Sequence, residues 1–455
     1  MQNAVNILSS YLPHDRRKAL ALGESLPDRV QGAALFADIS GFTPLTERLA
    51  EMLGARRGVE ELSRHLNTVY DALISEVETW GGSVVSFAGD AIICWFSGEA
   101  AIKNAVACTF RMHQAMKAFF SLPLPDGTAT TIAVKTSIAY GKARRFVVGD
   151  PLIQLHDVLA GETIDRMAAG EKLARKGETI VDEASATSLG NAIRLVEWRE
   201  DPETHHRFAV VMPTQATRDF RPPEQAPEDT APQSLQLEHL TPWLIPAISA
   251  RLLAGQGEFL TELRPGVPVF VQFLGIDFES DEACPQLDQF VRQLQQILAR
   301  YEGTMIDLTV GDKGSYLHAS FGAITIHEDD TRRAVQAALE FQQVVAELPF
   351  LQQMQIGISR GTLRTGAYGG RSRRVYGALG DDVNLAARLM EAAHPGEIVV
   401  SGWVQKSLGE RFEPVPRPPL HVKGKVDPIS VFVVHRQRRE SGIRLQEPHF
   451  ELPMV

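Results

Sequence analysis

The chain has 455 residues, 44% of them hydrophobic and 22% charged, with a formal net charge of −10. A single hydrophobic core stops growing near about 250–300 residues, so at least two domains are expected. The composition is globular, and its acidic balance argues against non-specific nucleic-acid binding. Cys94, Cys108 and Cys284 are too few and too scattered for a disulfide framework or a zinc cage. No apolar run approaches the roughly 18–20 residues of a membrane helix, and the first residues lack the charged-then-apolar pattern of a secretion signal. A cytoplasmic protein without a membrane segment is the expectation.

In chain order, residues 1–29 read as a helical arm. Ala33 to Ala37 reads as a buried strand running into Asp38-Ile39-Ser40-Gly41-Phe42-Thr43. A helix from about Pro44 to Thr79 stops at Trp80-Gly81-Gly82. Ser83 to Phe87 and Ala91 to Phe96 then flank Ala88-Gly89-Asp90, a hairpin signature. A helix from Glu99 to Phe120 and a strand from Thr131 to Tyr140 follow. From Pro213 to Pro242, with Pro222, Pro223, Pro227 and Pro232 among polar residues, the chain reads as an extended linker.

Past the linker the same order recurs. A strand from Val267 to Ile276 precedes a helix from Cys284 to Tyr301. Met305 to Val310 and Tyr316 to Phe321 flank a turn at Gly311-Asp312-Lys313-Gly314, and the next helix runs from His327 to Leu348. Matching Gly82 to Gly303 and Asp90 to Asp312 points to a duplication. The boundaries are 30–212 for the first domain, 213–262 for the linker, 263–438 for the second domain and 439–455 for a tail. Each domain is expected to be α+β, ferredoxin-like, with helices on one face of an antiparallel sheet.

Asp38 ends a strand and Asp90 tips a hairpin, so the two carboxylates can converge. Such a pair suits Mg²⁺ or Mn²⁺, which prefer oxygen ligands and share their sites with phosphates. Ser40-Gly41-Phe42-Thr43 opens a helix whose free N–H groups can cradle a polyphosphate. Ordinary turn and cap chemistry uses the same residue types. Asn384 and Arg388 stand i, i+4 on an amphipathic helix, an amide and a guanidinium one turn apart. A solvated polar face uses that spacing too.

Taken together, Phe36 to Thr43 and Gly81 to Ala91 resemble the first catalytic domain of class III nucleotidyl cyclases. Tyr376 to Arg388 resembles the matching segment of the second. The soluble, bicarbonate-responsive adenylyl cyclases and their bacterial counterparts are the subgroup most similar. The resemblance implies two domains meeting head to tail around one site that converts ATP to cyclic AMP and pyrophosphate with two ions, Mg²⁺ or Mn²⁺. It assigns Asp38, Asp90 and the Ile39 carbonyl to metal, Asn384 to the ribose, Arg388 to the transition state and Lys425 to the triphosphate. It also implies a monomer, because both halves share one chain, and a following signalling NTPase module, because Glu451 to Val455 resembles the join before one.

Two departures from the pattern stand out. The adenine-reading positions of the family hold Asp307 and Gly377. An acid there accepts from guanine, as in guanylyl cyclases, while backbone groups near Ala378 are the other base reader, so GTP and a degenerate nucleotide-binding pair remain alternatives. The second, degenerate pocket has Gly275 where the first half has Asp38. The regulatory cations of the soluble family fall at Ser86 and near Arg166, one of them lost.

Overall fold

The structure, a computed structural model, describes residues 2–124, 126–224, 235–256, 262–311, 314–409, 412–421 and 428–437. Two arm helices, α1 (Gln2–Ser9) and α2 (His14–Leu22), precede the first half. That half runs β1 (Arg29–Ser40), α3 (Phe42–Thr79), β2 (Gly82–Ala88), β3 (Ala91–Ser97), α4 (Ala101–Ala115), β4 (Ala133–Val148), β5 (His156–Ala160), α5 (Glu162–Leu173), β6 (Thr179–Asp182), α6 (Glu183–Leu189), β7 (Ile193–Glu200) and β8 (Arg207–Pro213). Alternation along β1 decides the layering. Ala33, Leu35, Ala37 and Ile39 pack under α3 and α4, whereas Ala34 and Phe36 pack with Ile164 and Met167 of α5. Helices therefore cover both faces of the sheet, not one face as expected. A strand apolar on both sides needs two covers.

After α7 (Pro246–Leu253) the second half runs β9 (Glu262–Leu274), α8 (Ala283–Arg300), β10 (Thr304–Thr309), β11 (Ser315–Phe321), α9 (Asp330–Glu347), β12 (Gln353–Ile358), β13 (Gly361–Gly369), β14 (Arg374–Leu379), α10 (Asp381–Glu391), β15 (Ile398–Ser401), α11 (Gly402–Ser407), β16 (Phe412–Leu420) and β17 (Ile429–Gln437). The first sheet has the order β2-β3-β1-β4-β6-β8-β7, and the second β10-β11-β9-β12-β15-β17-β16. The two orders are the same fold written twice. Each sheet is antiparallel except for one parallel pair, β4 with β6 and β12 with β15.

The halves meet head to tail. The Gly149 amide donates to Asp288 of α8 at 2.8 Å, and in the mirrored contact the Gly369 amide donates to Asn67 of α3 at 3.2 Å. Phe146, Val148 and Val158 enter the second core, while Tyr368 enters the first. The linker reading needs one amendment. Gln215–Arg218 and Leu237–Leu240 are helical turns, and α7 packs Ile248 and Leu252 against Val5 and Leu8 of α1. Residues 225–234 lie outside the described set. Among the described residues no helix is long and apolar enough to cross a membrane.

Candidate active site

The carboxylate pair is built by register. Asp38 lies opposite Ala91 on β3 and Lys135 on β4. The two-residue turn Gly89-Asp90 joins β2 to β3, with Gly89 at φ 65°, a left-handed conformation that favours glycine. The Ile39 amide donates to the Asp90 carbonyl at 3.4 Å, and the Tyr70 hydroxyl donates to the Gly89 carbonyl at 3.2 Å. Those bonds pin the turn beside the strand end. Both carboxylates line a cleft of about 320 Å³ with Met167 and Glu171 of α5 and Gly311 and Tyr316 of the second half.

The electrostatics fit a cation. Asp90 is pushed up to about 6, first by the low-dielectric cleft wall and then by the neighbouring Asp38 carboxylate. A carboxylate whose ionisation is opposed by a like charge is relieved by a divalent ion. Two carboxylates and a strand-end carbonyl, completed by phosphate and water, are a usual set for Mg²⁺. Among the described residues no group of three or more His, Cys, Asp or Glu is arranged to hold a metal ion. Instead the Lys135 ammonium stands 3.3 Å from Asp38 and 2.5 Å from Glu171. The sequence reading missed Lys135. Its signal was a lone cation in the apolar strand Ala133-Val134-Lys135-Thr136-Ser137-Ile138.

The loop after Asp38 starts α3. Gly41 has φ 111°, and a Cβ there would lie 2.5 Å from the Thr131 carbonyl oxygen. Only glycine fits. Phe42 anchors the first turn in the core, the Ser40 hydroxyl donates to the Ala133 carbonyl at 3.2 Å, and no side chain caps the helix. The first turn of α3 therefore begins without a side-chain cap. Lys425 and Asp312 lie outside the described residues.

On α10, Val383, Ala386 and Met390 pack on Phe270, Leu363 and Ala378. Asn384 is exposed and Arg388 half-buried. Neither lines the cleft of Asp38 and Asp90. The four side chains are therefore not gathered around one cavity here. The base-reading positions are also separated from the carboxylates. Asp307 lines a different cavity with Ser86 and Arg373 and is pushed up to about 6 by burial. Gly377 faces the Tyr368 ring, which a Cβ there would meet at 2.5 Å, and Ala378 is core. Ser86 and Arg166 are not brought together as one pocket. Arg166 is bound to Asp182 at 2.9 Å, Glu162 at 2.5 Å and the Tyr140 carbonyl at 2.9 Å, and it lines neither cavity.

Register also corrects the second-half counterpart of Asp38. Gly32 lies opposite Gly141 as Gly266 lies opposite Gly361, and Ala33 opposite Phe96 as Val267 opposite Phe321. Counting equally along both strands (38 − 32 and 272 − 266), Asp38 corresponds to Gln272, not Gly275. Gln272 pairs with Tyr316 and Gln355. A neutral amide can offer an oxygen but no negative charge, so the second half still lacks the acidic pair.

Residues 271–436 match the family described as the Adenylate and Guanylate cyclase catalytic domain. The chain is 24% identical over 388 residues to Adenylate cyclase type 10 of Homo sapiens, covering 80% of this chain and 24% of that protein. The same protein of Rattus norvegicus is 24% identical over 423 residues, covering 85% and 25%. The chain thus spans about a quarter of the length of these relatives. Its fold is shared with a class III adenylyl cyclase-like ATP-binding protein from Pseudomonas aeruginosa, at a TM-score of 0.56 and 13% identity over 84% of this chain and 86% of that one. The chain is thus similar to the adenylate and guanylate cyclase catalytic domain over residues 271–436 and to adenylate cyclase type 10 over most of its length, and it shares its fold with a class III adenylyl cyclase-like protein.

Proposed function

We propose that the chain is a nucleotidyl cyclase that converts ATP to cyclic AMP and pyrophosphate at one site between its halves. The observation that carries this reading is the convergence of Asp38 and Asp90 beside the uncapped start of α3. The 3′-hydroxyl oxygen bonds to the α-phosphorus, the bond to the β-phosphate oxygen breaks, and pyrophosphate leaves as the hydroxyl proton passes to solvent. Two bound Mg²⁺ or Mn²⁺ ions would supply Lewis-acid stabilisation of the attacking and leaving oxygens. Asp38, Asp90 and the Ile39 carbonyl would hold them. The amides after Gly41, with Lys425, take the triphosphate.

Asn384 orients the ribose and Arg388 meets charge developing on the α-phosphoryl group, a role worth about 3–4 kcal/mol. Support for bringing them to the cleft comes from the contacts of β13 and the turn after it. Arg364 donates to Ser63 of α3 at 2.8 Å, Arg371 pairs with Asp71, and Gly361 at the strand's start touches Asp382 of α10. Closure of the cleft would then bring α10 toward the carboxylates. ATP is favoured over GTP by the name of the sequence relatives, and by the position of Asp307 away from the cleft. A product assay with ATP and GTP tests the reading.

A second reading is favoured by the separation of Asn384 and Arg388 from the carboxylates: a catalytically weak pair that binds nucleotide as a regulatory module. Tight binding of a non-hydrolysable ATP analogue without turnover would select it.

A further inference from the structure

A second cavity, of about 100 Å³, lies between the halves and shares no lining residue with the carboxylate cleft. One wall carries Arg373, only 5% exposed. Its guanidinium donates to the carbonyls of Val84 at 2.9 Å, Tyr11 at 2.7 Å, Arg374 at 2.6 Å and Val85 at 3.0 Å, and it stacks over Phe87. Carbonyl dipoles solvate that charge but do not neutralise it, and among the described residues no carboxylate is within ion-pair distance. Another wall carries Asp307, which accepts from the Thr309 hydroxyl at 3.2 Å and has no cation in contact among the described residues. The remaining lining charge, Asp157, is already matched by Arg16 at 2.9 Å and Arg145 at 2.8 Å.

Two further groups on this lining are buried without a hydrogen-bond partner: the Tyr11 hydroxyl and Nε2 of His156, whose residue is 9% exposed. Buried polar groups are almost always partnered, and opposite charges on separate walls remain costly until something bridges them. An anion alone would face Asp307, and a cation alone would face Arg373. Only a molecule carrying both charges meets both walls.

We propose that this cavity binds a small zwitterion of the α-amino-acid class, glycine or alanine in size, with its carboxylate on Arg373 and the Tyr11 hydroxyl and its ammonium on Asp307. Because the cavity is lined by the arm (Tyr11), the first half (Ser86, His156) and the second half (Asp307, Arg373), its occupant would fasten all three. This proposal is independent of the catalytic reading.

The test is calorimetry and thermal melting of the full chain with glycine, alanine, acetate and methylammonium. Saturable binding of glycine or alanine with a raised Tm is expected, with acetate and methylammonium at least about tenfold weaker. Asp307→Asn and Tyr11→Phe should each lose about tenfold in affinity while the unliganded protein still melts cooperatively. Tyr11→Phe keeps the ring in place, so its loss of binding is not a loss of fold. No saturable response to glycine or alanine, leaving a cavity of water only, would overturn the proposal. So would acetate binding as tightly as glycine.

Discussion

Lys135 holds its ammonium 3.3 Å from the Asp38 carboxylate, so a cation already sits against the acidic pair before any metal arrives. Glu171 shares that ammonium at 2.5 Å. Lys135→Met should remove the competitor and leave three carboxyl groups facing the cleft. Mn²⁺ titrated by electron paramagnetic resonance is expected to bind several-fold more tightly to the variant. Unchanged affinity would mean that Lys135 does not guard the pair.

Gly41 turns the chain where no side chain fits. Gly41→Ala would drive a Cβ toward the Thr131 carbonyl at a φ of 111°. Left-handed strain of this kind costs about 1–3 kcal/mol, before any clash. The expected result is a lower denaturant midpoint together with loss of nucleotide affinity. A variant with wild-type stability and affinity would contradict the role given to this turn.

Tyr368 crosses from the second half to join Tyr70 and Phe87, with ring centroids 6.1 Å and 5.6 Å away. Truncating a buried aromatic side chain costs about 3–5 kcal/mol. Tyr368→Ala should loosen the pairing of the halves, measured as faster hydrogen exchange in β2 and α3 than in β7. Uniform exchange changes across the chain would argue against a local clasp.

His113 is lowered to about 4 by burial, and its Nε2 lies 3.0 Å from the Thr179 hydroxyl. An unfolded histidine titrates near about 6.5, so the unfolded chain takes up this proton first as pH falls. The contribution of the neutral ring is fully present above about 6.5 and is lost progressively toward about 4. His113→Gln should therefore show a smaller drop in Tm across that range than the parent chain. An identical pH profile would exclude His113 as a source of acid sensitivity.

Local chemistry made the carboxylate pair legible. A buried strand ending in Asp38 and a two-residue turn at Gly89-Asp90 leave few other arrangements, and the repeated element order announced the duplicated sheets. What failed depended on register. Loops of different length between the halves moved the counterpart of Asp38 from Gly275 to Gln272. A shift between Met305 and Asp307 on β10 sets which cavity Asp307 enters, and no periodicity shows such a shift. Arg166 was read as part of a pocket, because a sequence does not show that Asp182, sixteen residues away, takes its guanidinium. Helices on both faces were legible in the unbroken apolar run Ala33 to Ala37, which needs a cover on each side, but the sequence reading did not use that signal.

The central claim is that Asp38 and Asp90 serve cyclisation of a nucleoside triphosphate. Its most direct test is cyclic AMP formation from ATP with Mn²⁺ by the purified full chain, compared with Asp90→Asn. The account predicts product from the parent chain and at least a hundredfold loss in the variant, about 2.7 kcal/mol of transition-state stabilisation. A parent chain that forms no cyclic nucleotide, or a variant as active as the parent, would contradict it.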